Sequence, residues 1–138
     1  MSRKTDRKHI FNLIYQLEFY AHDTREAADD MVCRYFDVLD RPEGIDRDFV
    51  VGEFMGTLEN LAEIDGRISE CAEGWELYRF SKVDLAIMRL AVYEIVYAGD
   101  IPEGVSVNEA VELAKQYSAD ESPAFVNGIL GKVIKLDE

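Results

Sequence analysis

The chain has 138 residues, 31% of them charged, and a formal net charge of −13. This length fits one domain, with two subdomains at most. The excess of acidic side chains argues against a protein that binds nucleic acid on its own. No apolar run approaches the roughly 18 residues of a membrane helix, and the N-terminus lacks the pattern of a signal peptide. We therefore expect a cytoplasmic protein without a membrane partner.

The charge is distributed unevenly along the chain. Residues 1–10 hold four basic side chains and one acidic side chain, whereas the remainder holds 11 basic and 27 acidic ones. The four basic residues are Arg3, Lys4, Arg7 and Lys8. A small basic tip therefore joins a strongly acidic body, which repels phosphate and attracts basic proteins.

Apolar residues recur at helical spacing through the first half of the chain. The spacing predicts a first helix over about 4–22. Asp23, with Glu26 three residues later, predicts the cap of a second helix, and Pro and Gly at 41–44 end that helix.

Asp46 predicts the cap of a third helix, with a break near Gly66 and a shorter continuation to about residue 72. An aromatic connector follows, and its residue types favour packing over ligand binding. It contains Trp75, Leu77, Tyr78 and Phe80.

The segment 82–98 is apolar on nearly all faces, which is typical of a helix surrounded by others. Ser81 and Asp84 form a capping-box pattern at its start. Arg89 and Glu94 are predicted to form ion pairs, because an unpaired buried charge is costly.

Two further helices complete the prediction. Ser106 is the predicted cap of a helix over about 107–117, and Ser122 before Pro123 that of a helix over about 123–136. No segment alternates with the period of a strand. The sequence therefore predicts an all-α domain of about seven helices spanning 1–138.

The sequence contains none of the common catalytic or nucleotide-binding motifs. Neither His9 nor His22 has a second ligand at a spacing useful for metal. Cys33 and Cys71 fall on apolar sides of predicted helices, which favours reduced, packed thiols over a disulfide. We predict no enzyme activity, no cofactor and no metal site.

Two features are candidates for nucleic-acid contact. The basic cluster at residues 3–8 is either a solvated terminus or a phosphate-contacting arm, and the residues alone leave both open. Phe125 follows a helix start, so it is either a stacking platform for a base or the first residue of an apolar stripe. Asn127 is more typical of a surface or capping residue than of a base reader.

Four segments of the sequence closely resemble the NusB family. Three lie within residues 81–131, namely VDLAIMRLAVYEI, VNEAVELAKQY and ESPAFVNGIL, and the fourth is NLIYQLEF at residues 12–19. The resemblance implies two packed three-helix groups, here about residues 1–75 and 76–138. It implies a non-catalytic factor in transcription antitermination and termination. Such factors pair with NusE, which is ribosomal protein S-ten, and bind boxA-type single-stranded RNA within an antitermination complex with RNA polymerase, notably on ribosomal RNA operons.

Matched position by position, the resemblance assigns RNA contact to six residues and NusE contact to three. The RNA set is Arg3, Lys4, Arg7, Lys8, Phe125 and Asn127. The NusE set is Tyr15, Asp84 and Glu121. Asp6 interrupts the basic patch, so RNA affinity without the partner is expected to be weak.

Three alternatives remain open at this stage. The chain is an RNA-binding adaptor, a protein-binding helical module whose basic terminus is incidental, or a NusB-like domain detached from an RNA cytosine methyltransferase. A chain that ends at Glu138 has no room for a methyltransferase, which disfavours the third. The apolar faces of the predicted helices do not distinguish an interface with a second copy of the chain from an interface with another protein. A homodimer is therefore a further alternative.

Overall fold

The computed structural model describes residues 2–137, and over that range the chain consists of helices and their connections. It contains seven α-helices, which confirms the predicted all-α class. They are α1 (Arg3–Tyr15), α2 (Arg25–Asp37), α3 (Arg47–Glu59), α4 (Leu61–Cys71), α5 (Lys82–Tyr93), α6 (Glu103–Tyr117) and α7 (Ser122–Asp137). No helix within the described range is long and apolar enough to cross a membrane.

Helix α5 lies at the centre of the fold, as its all-round apolar surface predicts. Every residue from Asp84 to Val92 is buried, and the helix packs against α1, α3, α4, α6 and α7. Arg89 forms a bidentate pair with Asp65, at 2.8 and 2.9 Å, and donates to Glu18 at 2.9 Å. The ion-pair prediction for Arg89 is therefore confirmed. The hydrophobic core is one cluster of buried side chains to which all seven helices contribute.

Two predicted caps are present, and a third lies one residue away from its predicted position. The side chains of Asp46 and Ser81 accept from the Phe49 and Asp84 amides. At α2 the prediction of Asp23 is wrong, because Thr24 has the extended backbone of an N-cap and accepts from the Ala27 amide. The first helix also ends earlier than predicted, at Tyr15, and a 3₁₀ turn over Gln16–Glu18 follows it.

The helix break in the middle of the chain lies at Asn60, and the prediction of a break near Gly66 is wrong. The Asn60 side chain donates to the Gly56 carbonyl at 2.8 Å and so competes for a backbone acceptor of α3. Helix α4 then runs without interruption through Gly66, since a single glycine costs a helix only about 1 kcal/mol.

Two serines predicted as caps use their hydroxyls elsewhere. Helix α6 begins at Glu103, so Ser106 lies inside it, buried, and donates to Glu94 at 2.9 Å. The Ser122 hydroxyl, at the start of α7, donates to Asp84 at 2.9 Å. Both side chains connect separate helices, and a pattern of local spacing contains no information about such bonds.

The cysteines differ in their surroundings. Both thiols are free, but Cys71 is buried whereas Cys33 is exposed on α2. The prediction of packing is thus confirmed for Cys71 and wrong for Cys33. The proposed subdomain boundary near residue 75 stays a prediction.

Candidate functional site

The basic residues at the start of α1 do not form one uniform patch. Arg3 is exposed, and its guanidinium donates to Asp6 at 3.1 Å and to Asp46 at 3.0 Å while lying 3.6 Å from the centre of the Phe49 ring. Hydrogen bonding from the Phe49 amide, and then from Arg3, lowers the pKa of Asp46. Arg3 therefore ties the first turn of α1 to the start of α3.

Arg7 is buried, whereas a solvated terminus and a phosphate-contacting arm would both require its side chain at the surface. Its Nε and Nη2 atoms donate to the two carboxylate oxygens of Glu94 at 2.9 and 3.2 Å. Glu94 begins a π-helical turn, Glu94–Ala98, which follows α5. Because an isolated buried charge is strongly unfavourable, Arg7 is held by Glu94, and the structure does not bring it to the surface beside the other cations.

Lys4 and Lys8 are the cations that α1 presents towards α6. The Lys4 ammonium lies 3.5 Å from Glu109. Lys8 is half-buried and forms no ion pair with any residue from 2 to 137. Both line a small depression between the two helices together with Glu112 and Gln116. With Arg3, they make up the basic tip that solvent reaches.

A carboxyl group with a raised pKa lies close to this cluster. Burial raises the pKa of Glu53 to about 7 from an ordinary value of 4.5, and the charges of Glu94 and Asp100 add to the rise. Its Oε1 atom is buried and has no hydrogen-bond partner among residues 2–137. Burial, and to a smaller extent the neighbouring carboxylates, therefore favours the protonated form of Glu53.

We expect Glu53 to weaken the fold as the pH rises. A group whose pKa is higher in the folded chain contributes stability below its unfolded pKa, near 4.5, and loses it as the pH rises to about 7. Because Glu53 is only partly buried, solvent screens its charge and reduces the effect below that of the full pKa shift. Glu53→Gln should therefore raise the free energy of unfolding by about 1–2 kcal/mol at pH 8 and change it little at pH 4.5. Urea unfolding at both pH values measures the difference. Glu59→Gln, an exposed change on the same helix, is the control, and equal gains at both pH values would contradict the account.

Phe125 lies in an aromatic groove of about 600 Å³ between the α4–α5 connector, α5 and the α6–α7 turn. Its ring centre is 5.3 Å from that of Phe80 and 6.0 Å from that of Trp75. Phe80 is buried, Phe125 is half-buried and packs against the core, and the Trp75 side chain is 52% exposed. Phe125 is thus both a packing residue and a lining residue of the groove.

Asp84 lies at the inner side of this groove and is itself buried. Its carboxylate accepts from the Ser118 hydroxyl at 2.6 Å and from the Ser122 hydroxyl at 2.9 Å. Asp84 therefore fixes the α6–α7 turn to the start of α5. Glu121, in the same turn, is exposed at the groove, so of these two predicted partner-binding carboxylates Glu121 is the one that solvent reaches.

Tyr15 belongs to a row of aromatic rings along α1. The Tyr117 ring, which lines the groove, stacks on Phe11 at 5.5 Å, and Phe11 lies 6.5 Å from Tyr15. Tyr15 in turn lies 5.2 Å from the exposed Phe19. The row connects the aromatic groove to the predicted partner-binding residue Tyr15.

Asn127 is exposed but lies on a different face of α7 from Phe125. It lines a shallow depression with Asn108 and Val111 of α6. Two residues along a helix correspond to a rotation of about 200°, so the structure does not bring Asn127 and Phe125 together.

Sequence reasoning did not assign Trp75, Arg79 or Tyr117 to this site, although all three line the groove. The aromatic composition of the connector favours packing for Trp75, whereas the structure leaves its side chain 52% exposed. The available signal was the composition of the connector, where one tryptophan and one arginine stand within five residues.

Within residues 2–137, seven α-helices with α5 buried at their centre, a cationic helix end and an aromatic groove define an all-helical domain with two candidate recognition surfaces. The NusB family model matches residues 4–135. The transcription antitermination protein NusB of Acetivibrio thermocellus is 46% identical over 99% of this chain and 90% of its own length, and that of Agathobacter rectalis is 47% identical over 96% and 98%. The chain belongs to the NusB family.

Solved structures agree with this assignment. The structure of T. maritima NusB superposes with a TM-score of 0.83 at 36% identity and covers 98% of this chain and 92% of that one. A structure described as the antitermination factors NusB and NusE in complex with dsRNA has a chain that superposes with a TM-score of 0.77. That chain is 21% identical, with coverage of 97% and 96%, and the likeness supports the fold alone.

Proposed function

We propose that this chain is a non-catalytic, cytoplasmic RNA-binding adaptor for transcription antitermination, which pairs with NusE and binds boxA-type single-stranded RNA. The observation that carries the proposal is family membership over residues 4–135. The curated relatives are named as antitermination proteins and match over nearly their whole length.

The basic tip and the aromatic groove have the chemistry that single-stranded RNA needs. RNA of this kind is held by cations on its phosphates and by aromatic rings on its bases. Arg3, Lys4 and Lys8 are the cations with access to solvent or to a surface depression, and Phe125 is the predicted platform. Arg7 supports α1 from inside by its pair with Glu94.

The acidic body suits a basic protein partner. A net charge of −13 on a chain with a cationic tip leaves the remaining surface strongly negative, and complementary charge steers association. We assign partner contact to Tyr15 and Glu121, while Asp84 positions the turn that carries Glu121 through its bonds to Ser118 and Ser122.

Reversing the two cations that face α6 tests the RNA surface. Lys4→Glu with Lys8→Glu should weaken binding of boxA-type RNA to the complex with NusE. The salt slope, which is the magnitude of the slope of log binding constant against log salt concentration, should fall by about 1.4. Each phosphate that a cation neutralises on a single strand contributes roughly 0.7 to this slope. Fluorescence anisotropy titrations over a range of salt concentrations measure both quantities.

The matched control is Arg41→Glu with Lys135→Glu, two exposed cations that form no ion pair within residues 2–137 and that line neither the depression beside Lys4 and Lys8 nor the aromatic groove. Both pairs change the net charge by the same amount, so only a local contact separates them. Equal losses of affinity for the two pairs would assign the effect to overall charge and remove Lys4 and Lys8 from the RNA surface.

A further inference from the structure

We propose that Trp75 and Arg79, in the connector between α4 and α5, form a base-stacking and phosphate-binding site together with Phe125. The inference rests on the proposed RNA-binding function and adds two residues that the family resemblance does not supply. The occupant is one nucleotide of single-stranded RNA, with its base against the aromatic rings and its phosphate beside Arg79.

The aromatic part of the site is open on one side. Phe80 meets Trp75 edge-on at 6.4 Å, and Phe125 lies tilted against it at 6.0 Å, yet the indole stays 52% exposed. An indole so exposed beside a cavity of about 600 Å³ leaves room for a further planar group. A nucleobase is such a group, and stacking on an aromatic ring contributes to binding whatever the base identity.

The positive charge of the site comes from Arg79, which forms no ion pair within residues 2–137 although the chain is strongly acidic. Five of the nine arginines form ion pairs within residues 2–137, and a further two lie over aromatic rings. The remaining two are Arg41 and Arg79, both exposed, and of these only Arg79 lines the groove. Pro123 and Ala124 precede Phe125, so the residues directly before the ring carry no positive charge. Lys132, seven residues further along α7, is paired with Glu73 at 2.9 Å. Arg79 supplies that positive charge from the connector.

The carboxylates near the groove leave this assignment intact. Asp84 is buried, and its two oxygens accept from Ser118 and Ser122. Glu121 is exposed at the groove and belongs to the face assigned to the basic partner. The groove thus combines exposed aromatic rings with the guanidinium of Arg79, which is unpaired within the described range, and both favour RNA as its occupant. The exposed carboxylate of Glu121 lies on the side that we assign to the protein partner.

Trp75 is the only tryptophan of the chain, so its fluorescence reports on this site directly. The emission is recorded for the chain alone and again after NusE is added, and boxA-type RNA is then added to the complex. We expect the RNA to quench the Trp75 emission with the same dissociation constant that anisotropy gives for the labelled RNA. This measurement uses the unmodified chain and does not depend on the folding of a variant.

Substitutions then measure the contribution of each residue. Trp75→Ala should weaken RNA binding between about 5-fold and about 150-fold, which corresponds to one stacked base, and Trp75→Phe should recover part of the affinity. Arg79→Gln should lower the salt slope by about 0.7. Tyr78→Ala is the control, because Tyr78 is 75% exposed and stands between the two residues in sequence but does not line the groove.

The outcomes separate this inference from the proposed function. RNA binding with unchanged Trp75 emission and a wild-type affinity for Trp75→Ala would overturn the inference and leave the function standing. Emission that changes on addition of NusE and not of RNA would make the groove a protein-binding site and would also overturn it. A complex with no RNA affinity would remove the proposed function, and the inference with it.

Discussion

Arg7→Ala is expected to lower the free energy of unfolding by about 3–5 kcal/mol. The substitution leaves the Glu94 carboxylate buried with only the Ser106 hydroxyl as a side-chain partner. It also removes a bidentate link between α1 and the turn after α5, which are 87 residues apart in sequence. The expected effect is large because Glu94 is only 2% exposed and loses the positive charge that compensates its burial.

Urea unfolding of three variants tests this account. Lys8→Ala is the matched control, since Lys8 is the next residue on α1 and forms no ion pair within residues 2–137, and its cost should stay within about 0.5 kcal/mol. Arg7→Met combined with Glu94→Leu should be more stable than Arg7→Ala, because no unpaired charge remains. A small drop in stability for Arg7→Ala with a large drop in RNA affinity would instead restore Arg7 to the RNA surface.

Phe125→Ala should reduce both RNA affinity and stability. A stacked base contributes about 1–3 kcal/mol to binding. Full burial of a phenylalanine makes the alanine change cost about 3–5 kcal/mol of folding stability, and the half-buried ring should cost about half of that. Thermal unfolding and RNA titration on the same preparation give the two numbers.

Phe125→Leu separates the two roles of this side chain. Leucine keeps most of the apolar packing against Phe80, so the cost in stability should stay below about 1.5 kcal/mol, while RNA affinity falls because leucine has no aromatic face. Val126→Ala is the reverse control, because Val126 is fully buried next in sequence and should change stability alone. Wild-type RNA affinity for Phe125→Leu would show that Phe125 is a packing residue only.

The helices could be predicted because local chemistry determines most of them. Asp46 and Ser81 each cap a helix by bonding an amide three residues away, so their role is visible in the spacing. The central position of α5 follows from its apolar surface on all sides. The prediction of caps failed where a contact with a residue distant in sequence competes with capping. Ser106 is the example, because its hydroxyl donates to Glu94 in the π-helical turn and does not cap α6.

The candidate site was less predictable for the same reason. A basic residue at a helix start has the same appearance in sequence whether solvent or Glu94 faces it, and only the packing of α1 on α5 buries Arg7. The exposure of Trp75 depends on how the connector crosses the start of α7, which periodicity does not describe. Family resemblance assigned RNA contact to Phe125, which stays a prediction, but the rings of Trp75 and Phe80 around it became visible only in the fold.

One titration tests most directly whether this chain binds single-stranded RNA together with a basic partner. Labelled boxA-type RNA is titrated with the chain alone, with NusE alone and with both proteins, at one salt concentration. We predict weak binding to the chain alone and clearly tighter binding to the pair than to either protein. Equal affinity for the pair and for NusE alone would contradict the account and leave a protein-binding helical module.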